Sequence, residues 1–122
     1  MEQVARRHLL ADAQAVADVA AYASALVPAQ PPTVGDGLDL QRGALIYAQR
    51  CAACHGPAGV GVAANMAPRL AGQHASYLTR QMQESAGSGR PNMSAAHVEL
   101  LNQLDVQAYR SVADYLARTV SR

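Results

Sequence analysis

The sequence predicts an all-α fold, and three observations support this prediction. Apolar and small residues recur three and four positions apart in several segments, as they do on one face of an α-helix. No stretch of the 122 residues shows the strict apolar–polar alternation of a half-buried strand. Clusters of glycine and proline separate the periodic segments, which indicates loops between the helices.

The chain divides into three segments along the sequence. Residues 1–27 contain an amphipathic helix, predicted over residues 11–26, and Pro28 stops it because proline cannot continue a helix. Residues 28–37 are rich in proline and glycine and are predicted to form a linker that is stiff at its proline end. Residues 38–122 are long enough to form one domain with its own core.

The domain is predicted to contain three main helices. The first begins at Asp39, a good N-cap, and continues towards the two cysteines. The second covers about residues 73–85. The last begins with Asn102 as its cap and Asp105 in its first turn, where a carboxylate interacts favourably with the helix dipole. His97 is expected to lie in the loop before this last helix.

A short motif near the middle of the chain carries the chemistry. Cys51 and Cys54 are the only cysteines, two residues separate them, and His55 follows directly. This spacing is typical of a covalent attachment site for c-type haem, in which each thiol forms a thioether with one vinyl group. The histidine is then within reach of the iron. A thiol redox pair or half of a zinc site is the alternative, but neither a βαβ pattern nor a second CxxC motif accompanies it.

The composition favours a buried prosthetic group and excludes some partners. The net charge is +1, so the chain has no strong attraction for nucleic acid or for an anionic membrane. All ten basic residues are arginine, which excludes a docking surface built on lysines. With no Trp, no Phe and only 4% aromatic residues, the domain has few large side chains for its core, and a buried haem would supply that bulk.

Several features of the domain follow one another in a fixed order along the chain. They are Gly43 and Tyr47 before the cysteines, Cys51–His55, the segment Ala67–His74, Met93 in a loop, and the terminal Ala113–Leu116. Together they resemble class I cytochromes c, and most of all the C-terminal haem domain of bacterial tandem di-haem cytochromes c. The resemblance covers about residues 38–122. It implies a class I cytochrome c fold, with three to four helices around one covalent haem, plus an extra N-terminal helix.

The resemblance also implies how the haem is held. One haem c per chain would be linked to Cys51 and Cys54, with His55 as the proximal iron ligand. The other ring nitrogen of that histidine needs an acceptor that fixes the ring, and the carbonyl oxygen of Pro68 would fill this role. Leu70 would press on the haem. The packing of Gly43 and Tyr47 against the last helix would be the crossing of the terminal helices in this family.

The sixth iron ligand determines the reduction potential, because a thioether stabilises ferrous iron. Met93 lies in the loop before the last helix, where the family places its ligand methionine. His97 and His74 are the alternatives. Met66 belongs to the segment expected on the proximal side, and Met82 lies on the apolar side of a predicted helix, where a core role is expected.

An internal repeat changes the interpretation of the N-terminal helix. When Asp12–Tyr22 is placed over Asp105–Tyr115, six of the eleven positions are identical. Two alanine-rich helices can agree by chance. We favour the other explanation, that residues 1–27 are the tail of a preceding haem domain.

The function that these features predict is one-electron transfer without a chemical change to a substrate, so we expect an electron-transfer protein, or a domain of a larger redox enzyme, and not an enzyme by itself. The alternative is a haem with a labile sixth ligand that reduces peroxide or binds a gas. It rests on Ser94, since in the family a proline often follows the ligand methionine. Carbon monoxide binding to the reduced protein distinguishes the two functions.

Partners and location follow from the predicted function. We expect donor and acceptor redox proteins, in the periplasm or on the periplasmic face of a membrane complex, and an export signal upstream of Met1. A preceding haem domain, or dimerisation or swapping through residues 11–26, is also predicted. The residues considered for pairing with the haem propionates are Arg69, Arg80, Arg90, Tyr47, Tyr77 and Tyr109.

Overall fold

Regular structure is helical throughout the part of the chain that the computed structural model describes, residues 12–26, 31–87, 89–91 and 93–119. The pair Val62–Ala67 adds an isolated antiparallel bridge. The all-α fold class is therefore confirmed. The chain forms two compact units, Met1–Pro31 and Pro32–Arg122.

The N-terminal unit contains helix α1, Ala13–Ala25. Asp12 is its N-cap, and the carboxylate accepts hydrogen bonds from the N–H groups of Gln14 and Ala15. The prediction that Pro28 stops this helix concerns a residue outside the described ones.

In the second unit, one continuous helical segment leads into the cysteines. Helix α2, Leu40–Ile46, passes into a π-helical turn, Tyr47–Cys51, and then into α3, Ala52–His55. Asp39 occupies the N-cap position as predicted, but its carboxylate makes no capping hydrogen bond. It accepts one from Gln107 Nε2 at 3.1 Å instead.

The C-terminal half differs from the prediction in one element. Helix α4 spans Ala75–Ala86, close to its predicted range, but residues Ala95–Asn102 form a further helix, α5, where a loop was expected. Helix α6, Val106–Arg118, follows. The prediction that Asn102 caps the last helix is wrong, because Asn102 ends α5. Asp105 is the N-cap of α6, and its carboxylate accepts from the N–H of Ala108 at 2.6 Å.

The domain core forms where α2 and α6 pack together. The lack of a side chain at Gly43 lets the backbone of α6 come close at Ser111, and a Cβ on Gly43 would overlap the Ser111 carbonyl oxygen. The rings of Tyr47 and Tyr115 lie 5.9 Å apart beside this contact. The buried core residues are Tyr47, Ala75, Leu78, Val112, Ala113, Leu116 and Ala117.

Residues 33–37 are anchored to the helices of their own unit. The buried carboxylate of Asp114 accepts from the N–H groups of Gly35 and Gly37, both at 2.8 Å, and from Arg118 Nε at 2.8 Å. The N–H of Thr33 donates to His74 Nδ1 at 2.9 Å. This half of the predicted linker therefore packs as part of the unit.

Among the residues described, no helix combines the length and the apolar character that a bilayer span requires.

The close approach at Gly43 gives a first prediction. The Gly43→Ala substitution should lower the free energy of unfolding by about 1–3 kcal/mol, because the added methyl group overpacks the contact with Ser111. Denaturant unfolding of the haem-loaded protein measures it. Gly87→Ala is the control, since its new Cβ would meet its nearest atom at 3.5 Å. Equal unfolding midpoints for the two variants would contradict the prediction.

Asp114 gives a second prediction, about acid stability. Burial alone raises the pKa of this carboxyl, but the Arg118 guanidinium and the N–H groups of Gly37 and Gly35 outweigh it and lower the pKa. The folded-state pKa is then below the unfolded value of about 3.9. The resulting stability is complete above that unfolded value and is lost as the pH falls through the lowered folded value.

Asp114→Asn should therefore cost about 1–3 kcal/mol at neutral pH, because it removes charged hydrogen bonds from a buried position. The deficit should shrink as the pH falls below about 4. Unfolding free energies measured from pH 7 to pH 2 test this. Glu99→Gln, at an exposed position, serves as the control. A deficit that stays constant over the whole range would rule out the carboxylate as its source.

Candidate functional site

The two cysteines and the histidine lie at the end of the helical segment that begins with α2. Cys51 is the last residue of the π-helical turn and packs against the core, whereas Cys54 in α3 is exposed. His55 ends α3 and is 9% exposed. Gly56 follows with φ +79°, a positive value that favours glycine and lets the chain turn away from the helix.

The ring of His55 is fixed by one backbone oxygen. Its Nδ1 lies 2.9 Å from the carbonyl oxygen of Pro68, the contact that the family resemblance implies. A carbonyl oxygen only accepts hydrogen bonds, so Nδ1 must carry the proton and Nε2 keeps its lone pair. This is the tautomer that a metal ligand needs.

Pro68 is held in place by a compact loop. The N–H of Gly61 donates to the carbonyl oxygen of His55 at 3.0 Å, and the Val62–Ala67 bridge closes the loop just before the proline. The N–H of Leu70 donates to the Gly59 carbonyl oxygen at 2.8 Å. Leu70 itself is half-buried and packs against the hydrophobic core.

Tyr47 stabilises the turn that follows the CxxCH motif. Its hydroxyl donates to the carbonyl oxygen of Gly56, directly after the CxxCH motif. Burial raises the pKa of Tyr47 to about 12, and Cys51 and Tyr115 nearby add to the shift. The hydroxyl therefore stays protonated at neutral pH and keeps its donor role.

Met93 and His97 lie next to each other at the start of α5. His97 Nδ1 is 2.9 Å from Met93 Sδ, and both side chains are half-buried. The ring of His97 is 6.2 Å from the ring of His55, measured between centroids. Burial lowers the pKa of His97, and His55 and Arg90 lower it further, so this imidazole is neutral at neutral pH.

The other candidate ligands have different surroundings. Met66 is 92% exposed, with a left-handed backbone at φ 52°. Met82 packs against the hydrophobic core. The His74 side chain is hydrogen-bonded to the backbone, since its Nδ1 accepts from the Thr33 N–H.

The residues considered for the propionates have partners within the chain. Arg69 Nε donates to the carbonyl oxygen of Ala71 at 3.0 Å. Arg80 lies 3.7 Å from Glu84 and stacks over Tyr77. Arg90 Nη1 donates to Gln81 Oε1 at 2.6 Å. The hydroxyl of Tyr109 donates to the Leu101 carbonyl oxygen at 2.8 Å.

The donor set fits a covalent haem better than thiol chemistry. Burial raises the pKa of Cys51 to about 11, and the neighbouring Cys54 adds to the shift, so a free thiol here would hold little thiolate. Thiol–disulfide exchange needs the thiolate. Two thiols in a CxxCH turn beside a histidine with a free Nε2 provide what covalent haem attachment requires.

The helical fold and this turn define a c-type cytochrome of class I. A family model described as cytochrome c oxidase, cbb3-type, subunit III matches residues 38–116, which is more than half of the chain. The chain therefore belongs to this cytochrome c family. Its cofactor is haem c, attached at Cys51 and Cys54.

Relatives of known identity agree with this assignment. Cytochrome c4 of Pseudomonas aeruginosa is 38% identical over 85 residues, which cover 65% of this chain and 42% of that protein. A thiosulfate dehydrogenase electron acceptor of Stutzerimonas stutzeri is 42% identical over 71 residues, 55% of this chain and 31% of that protein. The chain thus spans less than half the length of either relative.

The fold is shared with a solved structure. The crystal structure of reduced recombinant cytochrome c4 from Pseudomonas stutzeri superposes with a TM-score of 0.75 at 23% identity, over 98% of this chain and 67% of that one. The class I cytochrome c fold that the resemblance implied is confirmed.

The sequence interpretation missed the position of His97. A loop was expected there, but His97 lies in the first turn of α5, beside Met93. The available signal was Ser94, a favourable N-cap, followed by Val98 and Leu101 at helical spacing.

A third prediction concerns the loop that holds Pro68. Gly61 has φ +85°, and a Cβ there would lie 2.8 Å from Ala67 O and from Arg69 N, on both sides of the proline. Gly61→Ala should lower the free energy of unfolding by about 1–3 kcal/mol through this overlap, in addition to backbone strain of about 1–2 kcal/mol. Denaturant unfolding measures the total.

Gly72→Ala is the matched control for that substitution. Gly72 also has a positive φ, +71°, but a Cβ there would meet its nearest atom only at 3.8 Å. It should therefore show the strain without the overlap. If both variants lose the same stability, the Gly61 contact with the Pro68 segment has no energetic role.

Proposed function

We propose that this chain transfers single electrons through a haem c whose iron is bound by His55 and Met93. The observation that carries the proposal is the hydrogen bond from His55 Nδ1 to the Pro68 carbonyl oxygen at 2.9 Å. It leaves Nε2 of His55 as the ligand nitrogen and holds the ring still. The position of Met93 supports its role as the second ligand. Its sulfur lies beside His97, and the His97 ring centre is 6.2 Å from the His55 ring centre.

This ligand pair suits an electron carrier. When bound, the haem supplies a one-electron couple between ferric and ferrous iron, and a thioether ligand favours the ferrous side. The Pro68 carbonyl oxygen makes the His55 imidazole more basic, which favours the ferric side. Leu70 packs against the core beside the CxxCH turn and would keep water from the proximal side of the haem. Pro68 and the core residues hold the ligand His55 in place. Electrons enter and leave the haem, and no bond in a substrate is made or broken.

The partners that we propose are redox proteins outside the cytoplasm. One relative is an electron acceptor of thiosulfate dehydrogenase, which supports a dehydrogenase as the type of donor. That relative also supports the view that this chain acts alongside an enzyme, or within a larger one, as its electron carrier. A periplasmic location follows from the same function, because attachment at CxxCH takes place there.

We further propose that residues 1–27 are the tail of a preceding haem domain. Of the linker predicted at residues 28–37, only the first part would connect the two domains, because residues 33–37 are anchored to the domain at residues 38–122. Helices α1 and α6 support the first part. Each has 13 residues and an aspartate N-cap, Asp12 or Asp105, whose carboxylate accepts from the first turn. Val112 of α6 is buried at 2% exposure, whereas the equivalent Val19 is 49% exposed. Helix α6 buries its apolar face in its own domain. The equivalent face of α1 would be buried by the preceding haem domain.

The fourth prediction tests the sixth ligand. Met93→Ala should abolish the near-infrared absorption band of Met-ligated ferric haem and lower the reduction potential, because the thioether no longer stabilises ferrous iron. Absorption spectra of the oxidised protein and a redox titration measure both. Met66→Ala is the matched control, since that methionine is 92% exposed, and it should keep the band and the potential.

Two results would contradict the proposal. A band that survives in Met93→Ala would exclude Met93 as the ligand. Rapid binding of carbon monoxide by the reduced native protein would show an open sixth position and would favour peroxide reduction or gas binding over electron transfer.

A further inference from the structure

Ser94, the residue after Met93, begins the helix that places His97 beside the Met93 sulfur. Ser94 is the N-cap of α5, and its Oγ accepts from the N–H of His97 at 3.3 Å. The Ser94 carbonyl oxygen also accepts from that N–H, at 3.1 Å. A helix thus begins directly after Met93 and fixes the backbone of His97. Residues four positions apart lie on the same side of such a turn, so the imidazole of His97 contacts the side chain of Met93.

The His97 imidazole lies where it could compete with Met93 for the sixth position of the iron. His97 Nδ1 lies 2.9 Å from Met93 Sδ, and the His97 ring is 6.2 Å from the ring of His55. Transition metals bind imidazole nitrogen at about 2.0–2.1 Å, so two imidazoles on opposite sides of one metal have ring centres roughly 6 Å apart. The observed separation of the two rings matches this span.

We propose that His97 is a reserve axial ligand, which binds the haem iron when the sulfur of Met93 leaves it. This rests on the proposed function, in which His55 and Met93 are the resident ligands. The exchange breaks an iron–sulfur bond and forms an iron–nitrogen bond. A lone pair on nitrogen replaces a lone pair on sulfur, and no electron is gained or lost by the iron. With His97 in place of Met93, the sixth position would stay filled by a strong ligand and closed to peroxide and gases.

Three variants of the haem-loaded protein test the proposal by electron paramagnetic resonance and by carbon monoxide binding. Met93→Ala should remain low-spin with two nitrogen axial ligands, bind carbon monoxide slowly, and show a lower potential than the native protein. Adding His97→Ala should make the ferric iron high-spin and carbon monoxide binding rapid. Adding His74→Ala to Met93→Ala instead should leave the low-spin state, because His74 is held by Thr33.

The outcomes separate this proposal from the one on which it rests. If the native protein shows the near-infrared band and Met93→Ala loses it and becomes high-spin, the reserve role is overturned and Met93 ligation stands. If Met93→Ala keeps the native spectrum and the spectrum changes only when His97→Ala is added, His97 is the resident ligand and Met93 ligation is overturned. Circular dichroism and haem staining of each variant establish that the protein is folded and carries its haem.

Discussion

The packing of α2 against α6 at Gly43 is the contact on which the rest of the haem domain depends. Gly43 has no side chain, so the α6 backbone at Ser111 comes close enough for Tyr47 to enter the core beside Val112. The helix that makes this contact continues without interruption through the π-helical turn into the CxxCH motif. The positions of the cysteines and of His55 are therefore set by helix packing and not by a free loop.

Several parts of this structure could be predicted from local patterns. The helical period gave α1, α2, α4 and α6, because each has apolar residues on one face and a recognisable start or end. The CxxCH motif gave the cofactor, because its chemistry needs only neighbouring residues. The contact between His55 and Pro68 came from the family resemblance, since nothing in the residues between them specifies a hydrogen bond across thirteen positions.

Other parts depend on contacts that the sequence does not reveal. Helix α5 is short and lies between loop signals, and Asn102 at its end resembles a cap for the next helix. Asp114 accepts hydrogen bonds from Gly35 and Gly37, which lie 79 and 77 positions away along the chain, so a buried carboxylate anchors a segment that the sequence predicted as a linker. The pairing of Met93 with His97 could not be seen while a loop was expected there.

The contact at Gly43 also bears on the order of folding. Its two sides, residues 43 and 111, are far apart in sequence, and contacts of this kind form late because a long loop must close first. The CxxCH motif is complete some 60 residues before α6 has left the ribosome or crossed a membrane. Tyr47 packs in one cluster with four residues of α6, so this part of the core is incomplete until α6 docks. The cysteines can therefore be reached by the attachment machinery before α6 closes the core.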